Sequence, residues 1–195
     1  MEELNRCFVG IRLPQEAQAK LAEVQLAIRH KAGSDVVRWS NTAELQIIVL
    51  PLGELLVERV HQVMSLLPNI AAQFRPFEIT LEGLGGSPSA LQPRFPWVGV
   101  GGDAQVLMNL HLALERSLMP LLPNYQAKGF QGHIDLGRIK IESEQNRTAL
   151  GRAIKMSPTG CIYRMAVTQF DLFRSATSSG GVHLVTEGSY PFPSF

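Results

Sequence analysis

The chain is short of cysteine and of charge, and it has no long apolar run. Its two cysteines, Cys7 and Cys161, make neither a disulfide framework nor a zinc-ligand spacing. Both lie in apolar, strand-like context, which predicts buried thiols in a reducing compartment. No run of about 18 apolar residues occurs, so no membrane-spanning helix and no membrane partner are expected. The start of the sequence lacks the basic-then-apolar layout of a secretory signal, and the expected location is cytoplasmic. Charged residues are 18% of the 195, below the roughly 25% usual in soluble domains. With 45% hydrophobic residues, much of the chain is expected to be buried or at interfaces. A net charge of +1 argues against a protein that holds long nucleic acid by bulk electrostatics; a local basic pocket stays open. Gly85-Gly86 is not followed by Lys-Ser/Thr, so it reads as a turn and not as a phosphate loop. His30, His61 and His111 fall on predicted helices with no partner at metal spacing, which favours surface or core packing. No metal and no cofactor are implied.

The elements that are present alternate strand and helix. Arg6 to Pro14 reads as a strand ended by Pro14. Ala17, Leu21, Val24 and Ile28 follow helical spacing between Gln15 and Lys31, and Gly33-Ser34 stops that helix. Val36 to Trp39 is a short strand, and Ser40-Asn41-Thr42 a turn. Leu45 to Leu50 is apolar on both faces, which predicts a strand covered on both sides and ended by Pro51 and Gly53. A helix is expected over 55–67, stopped by Pro68. Phe77 to Leu84 alternates as a strand with one wet face. Phe95 to Val100 is the next strand, with Pro96 marking an edge or bulge. A helix over 104–118 ends at Pro120 and Pro123, and another over 144–156 closes before Pro158 and Gly160. A strand over 163–173, a loop over 175–181 and a last strand over 182–190 complete the chain. This order predicts an α+β fold with antiparallel sheets, its two halves similarly built.

One stretch carries unusual chemistry: Phe130-Gln131-Gly132-His133-Ile134-Asp135-Leu136-Gly137-Arg138. Side chains alternate along a strand, so His133 and Asp135 share one face while Ile134 and Leu136 enter a core. In Leu45-Gln46-Ile47-Ile48-Val49-Leu50, Gln46 and Ile48 occupy the equivalent pair of positions.

Together these residues resemble a family. Arg6 to Pro14, Trp39 with Leu45 to Glu54, and Phe77 to Pro88 with Trp97 to Val100 are similar, in order, to segments of the two-histidine (2H) phosphoesterases. The likeness extends through Phe130 to Arg138, then Phe170 to Ser175, Gly181 and Tyr190-Pro191-Phe192. The resemblance is to the bacterial and archaeal RNA 2′,3′-cyclic phosphodiesterases, also called 2′,5′ RNA ligases. It implies a single bilobal, LigT-like domain over 1–195, two antiparallel-sheet and helix lobes around a central cleft, each lobe lending one His-x-Thr motif. It implies a cyclic-phosphate RNA end or nucleotide as the ligand. In that chemistry one imidazole activates water and the other protonates the leaving ribose oxygen, while the two hydroxyls bind the phosphate.

By the same resemblance, Gln46 stands where the first His is expected and Ile48 where the first Thr is expected. His133 matches the second His, and Asp135 replaces the second Thr. Little or no phosphodiesterase activity is therefore expected. Two other readings stay open: a binding protein using the cleft for a nucleotide or a non-phosphate small molecule, and a hydrolase working on another substrate through a His133/Asp135 dyad. His133 is a candidate acid/base, a ligand contact or a core histidine. Gln46, Ile48 and Asp135 are expected to line the cleft. Arg138 matches the Arg that follows the second motif and reads equally as an anion ligand or a structural ion pair. His183 is an outlying candidate for a replacement proton donor. Trp39 and Phe130 are candidates for stacking a base, with core packing the commoner role.

Overall fold

The computed structural model describes residues 4–122, 125–126, 129–157, 160–178 and 181–194. Pro123 and Pro158, expected to end helices, lie outside the described residues, as do residues 179–180 of the expected loop. The first half runs β1 (Leu4–Arg12), α1 (Gln15–Ala32), β2 (Val37–Trp39), β3 (Gln46–Leu56), α2 (Val57–Ala71), β4 (Phe77–Ser87) and β5 (Phe95–Gly102). The second runs α3 (Ala104–Leu118), β6 (His133–Asp135), β7 (Gly137–Ile139), α4 (Glu144–Lys155), β8 (Cys161–Val167), β9 (Gln169–Ser178) and β10 (Gly181–Pro191). One four-stranded sheet has the order β10-β9-β1-β3, the other β6-β5-β4-β8, and β2 pairs with β7 as a separate ribbon. Every pairing is antiparallel. The fold is the expected α+β arrangement of two antiparallel sheets with helices. Buried apolar residues from both sheets join one continuous core.

Several local expectations are corrected. The strand from residue 46 does not end at Pro51 and Gly53; β3 continues to Leu56. It is an outer strand, where a proline removes no ladder bond, and the chain takes up both residues through a register shift opposite Cys7 and Phe8. Nor is β3 covered on both faces: Ile47 and Val49 are fully buried, while Ile48 is 46% exposed. Pro68 lies inside α2, whose last turn reaches Ala71; the Ala72 N–H then bonds the Pro68 carbonyl at 3.0 Å. Gly85 and Gly86 are strand residues opposite Trp97 and Pro96. The Trp97 ring fills the place a side chain would take, since a Cβ on Gly85 would sit 2.1 Å from it. The expected strand over 163–173 is two strands, because the chain passes from one sheet to the other at Thr168. The expected loop over 175–181 is mostly β9 and β10, paired out to Ser178 and Gly181. Cys7 is buried as expected, but Cys161 is exposed at the start of outer strand β8.

Candidate functional site

Two strands from different sheets confront each other. Along β3, Ile47 and Val49 point into the core, which turns Gln46 and Ile48 outward. Along β6, Ile134 is buried, which turns His133 and Asp135 outward. The two strands approach within 8 Å between Cα atoms. All four outward side chains line one open cleft of about 1150 Å³. The sequence placed Gln46, Ile48, His133 and Asp135 around one space, and the structure brings them together.

The short strand β6 is held by its neighbours. His133 lies opposite Gly99 and Asp135 opposite Trp97 on β5. A Cβ at Gly99 would sit 2.9 Å from the Glu82 carbonyl oxygen, and the Trp97 ring stands 6.0 Å from the imidazole, tilted by 56°. Beyond Asp135, the Leu136 carbonyl accepts from the Ser40 N–H at 3.0 Å and from the Gln25 side-chain amide at 2.9 Å. The same amide nitrogen of Gln25 donates to the Ser40 carbonyl at 3.0 Å. Helix α1 thus ties the end of β6 to the segment that enters β3.

His133 Nδ1 is 2.7 Å from the Gln131 carbonyl. A carbonyl only accepts, so Nδ1 carries a proton and Nε2 holds the lone pair of the neutral ring. Nε2 faces Asp135 Oδ1 at 3.6 Å, an ion-pair distance too long for a hydrogen bond. The two side chains keep 38% and 54% of their surface exposed, so both are open to the cleft. Desolvation by the cleft walls pushes the Asp135 carboxyl above the ordinary range, and the His133 charge pulls it part of the way back.

Other wall residues were not legible as site residues. His111 was expected in surface or core packing; it is 5% exposed, yet it forms part of the cleft wall. Its Nδ1 bonds the Val49 carbonyl at 2.8 Å, and its ring stacks on Phe130 with centroids 4.5 Å apart. Phe130 therefore presents to the cleft a ring already stacked on its other side. The available signal was position: on α3 the ring sits one turn after buried Leu107, on the core stripe, where an imidazole needs a polar partner. Glu44 and Glu54 also line the cleft. No Lys or Arg does so among the described residues.

Arg138 and His183 do not line the cleft. Arg138 belongs to β7, where it reaches Glu142 at 3.4 Å and lies over the Phe95 ring. His183 is exposed on β10, and the neighbouring Leu184 is the residue that reaches the cleft, as alternation along a strand requires. Trp39 packs against the core and does not line the cleft. No group of three or more metal-ligating side chains occurs among the described residues.

This fold is that of the LigT proteins. Escherichia coli LigT complexed with 3′-AMP superposes over 98% of this chain and all of its own, with a TM-score of 0.76 and 21% identity. The same protein has also been solved with ATP. In sequence, the chain is 26% identical over 140 residues to an RNA 2′,3′-cyclic phosphodiesterase of Archaeoglobus fulgidus, covering 72% of this chain and 76% of that one. It is 24% identical over 182 residues to one of Thermotoga maritima, covering 92% of each. No family model matches the chain. Fold and sequence similarity together support the 2H phosphoesterase, LigT-like family, and homology to its RNA 2′,3′-cyclic phosphodiesterases.

Proposed function

We propose that this protein is a diverged RNA 2′,3′-cyclic phosphodiesterase-like protein that keeps the ligand cleft and has lost most or all of the hydrolytic activity. The observation that carries this reading is the set of side chains facing each other in the cleft: Gln46 and Ile48 from β3, His133 and Asp135 from β6. In-line opening of a cyclic phosphodiester needs a base on the attacking water and an acid on the departing ribose oxygen. His133 can serve as one of these through Nε2. Gln46 cannot exchange a proton near neutral pH, and loss of one acid or base commonly costs about 10²–10⁴ in rate. Ile48 offers no hydrogen bond to a phosphate oxygen. An ionised Asp135 repels phosphate, by roughly 1 kcal/mol at 4 Å in water and roughly 4 at an effective dielectric of 20.

The test is turnover of 2′,3′-cyclic AMP and of RNA ending in a cyclic phosphate. The expected result is no product above the buffer background. Turnover that disappears in His133→Ala would overturn the reading, and would favour a hydrolase built on the His133/Asp135 dyad.

A further inference from the structure

The cleft presents carboxylates, and no Lys or Arg among the described residues, where a phosphate ligand needs cations. Asp135 and Glu44 line it, and neither is paired with a Lys or Arg among the described residues. Glu54 lines it as well, with Arg6 opposite in the strand register. The cation nearest Gln46 by register is Arg12, across the β1–β3 ladder. Its guanidinium is already engaged: it lies 3.5 Å from the buried Asp171 carboxylate, over the Phe173 ring, and donates to the Thr186 hydroxyl.

His111 adds an acceptor to the cleft wall. Because its Nδ1 must donate to the Val49 carbonyl, the neutral ring holds a lone pair on Nε2. That atom has no hydrogen-bond partner among the described residues and is not sealed from solvent, and the ring forms part of the cleft wall. An accessible lone pair of this kind can accept from a ligand N–H or O–H. The rest of the wall is largely apolar, with Leu45, Ile48, Leu122, Leu184 and the outer face of Phe130.

We propose that the ligand of this cleft is an organic cation, an apolar or aromatic body carrying a primary amine, with its ammonium at Asp135 and its ring against Ile48 and Phe130. The proposal rests on the preceding reading, that the cleft is kept while phosphodiester hydrolysis is lost. Opposite charge in a partly desolvated cleft attracts the amine, and the same field turns away anions. The ligand's N–H donors meet the acceptors that the cleft presents.

Calorimetric titration with matched pairs tests it. Tryptamine and phenethylamine are each compared with the carboxylate of the same ring and chain, and 2′,3′-cyclic AMP is titrated alongside. At least one amine is expected to bind saturably, and neither carboxylate. Asp135→Asn, which keeps the shape and removes the charge, is expected to weaken amine binding about tenfold, and Glu44→Gln by less. A carboxylate binding as tightly as its amine, no saturation by either amine, or unchanged affinity in a folded Asp135→Asn protein would overturn the proposal. Cyclic AMP bound more tightly than the amines without turnover would also overturn it, and would leave the preceding reading standing. Cyclic AMP turned over would overturn that reading instead, whatever the amines do.

Discussion

Asp135 is a carboxylate from which the cleft walls strip water, two residues from the imidazole it faces. Desolvation outweighs the pull of His133, so its carboxyl titrates higher in the folded chain than in the unfolded one. For an acid shifted in that direction, the stabilising contribution is whole below the unfolded titration and is lost as pH rises through the folded one. Asp135→Asn removes the loss. Its melting temperature is expected to match that of the unaltered protein near about pH 3 and to exceed it near about pH 7. A lower melting temperature for the variant at the higher pH would mean that the His133 attraction dominates. The two thiols should differ as sharply. Cys7 is 2% exposed, and burial first, with the Glu187 charge second, pushes its thiol up to about 11. Cys161 is exposed. Iodoacetamide at about pH 8 is expected to alkylate Cys161 and leave Cys7 unmodified by mass spectrometry; equal labelling would contradict the burial of β1.

Strand β6 is three residues long, and its position depends on what grips its ends. The Leu136 carbonyl has two donors, and Gln25, itself buried on α1, is one of them. Gln25→Leu leaves the Leu136 carbonyl with one donor and takes from the Ser40 carbonyl the one bond that Gln25 gives it, so about 1–3 kcal/mol of stability should be lost in urea unfolding. No loss would mean that water replaces the amide. Gln25 was legible only as a helix residue, since its partners are fifteen and 111 positions away. That Gln46 shares a face with Ile48, and His133 with Asp135, was legible because alternation needs only a buried neighbour, which Ile47 and Ile134 supply; that the two pairs meet across one cleft was implied by the family resemblance. Reading Pro and Gly as the ends of strands erred at Pro51 and at Gly85-Gly86, which sit within strands. An outer ladder edge tolerates the first, and the Trp97 ring requires the absence of a side chain at Gly85. His111 was hidden for a related reason: its helix stripe shows burial, while the carbonyl it bonds and the cleft it borders lie on elements far along the chain.

At the scale of the molecule, the two sheets share one core and leave a groove between β3 and β6. Such a layout separates scaffold from chemistry. The inward residues of both strands are apolar and belong to the core, while the outward four face the cleft. In this chain the outward four are one imidazole, one carboxylate, one amide and one branched alkyl group. The most direct measurement is the hydrolysis rate of 2′,3′-cyclic AMP by the unaltered protein beside the triple variant Gln46→His, Ile48→Thr, Asp135→Thr. The account predicts no turnover by the first and measurable turnover by the second. Turnover by the unaltered protein that the triple substitution fails to raise would contradict it.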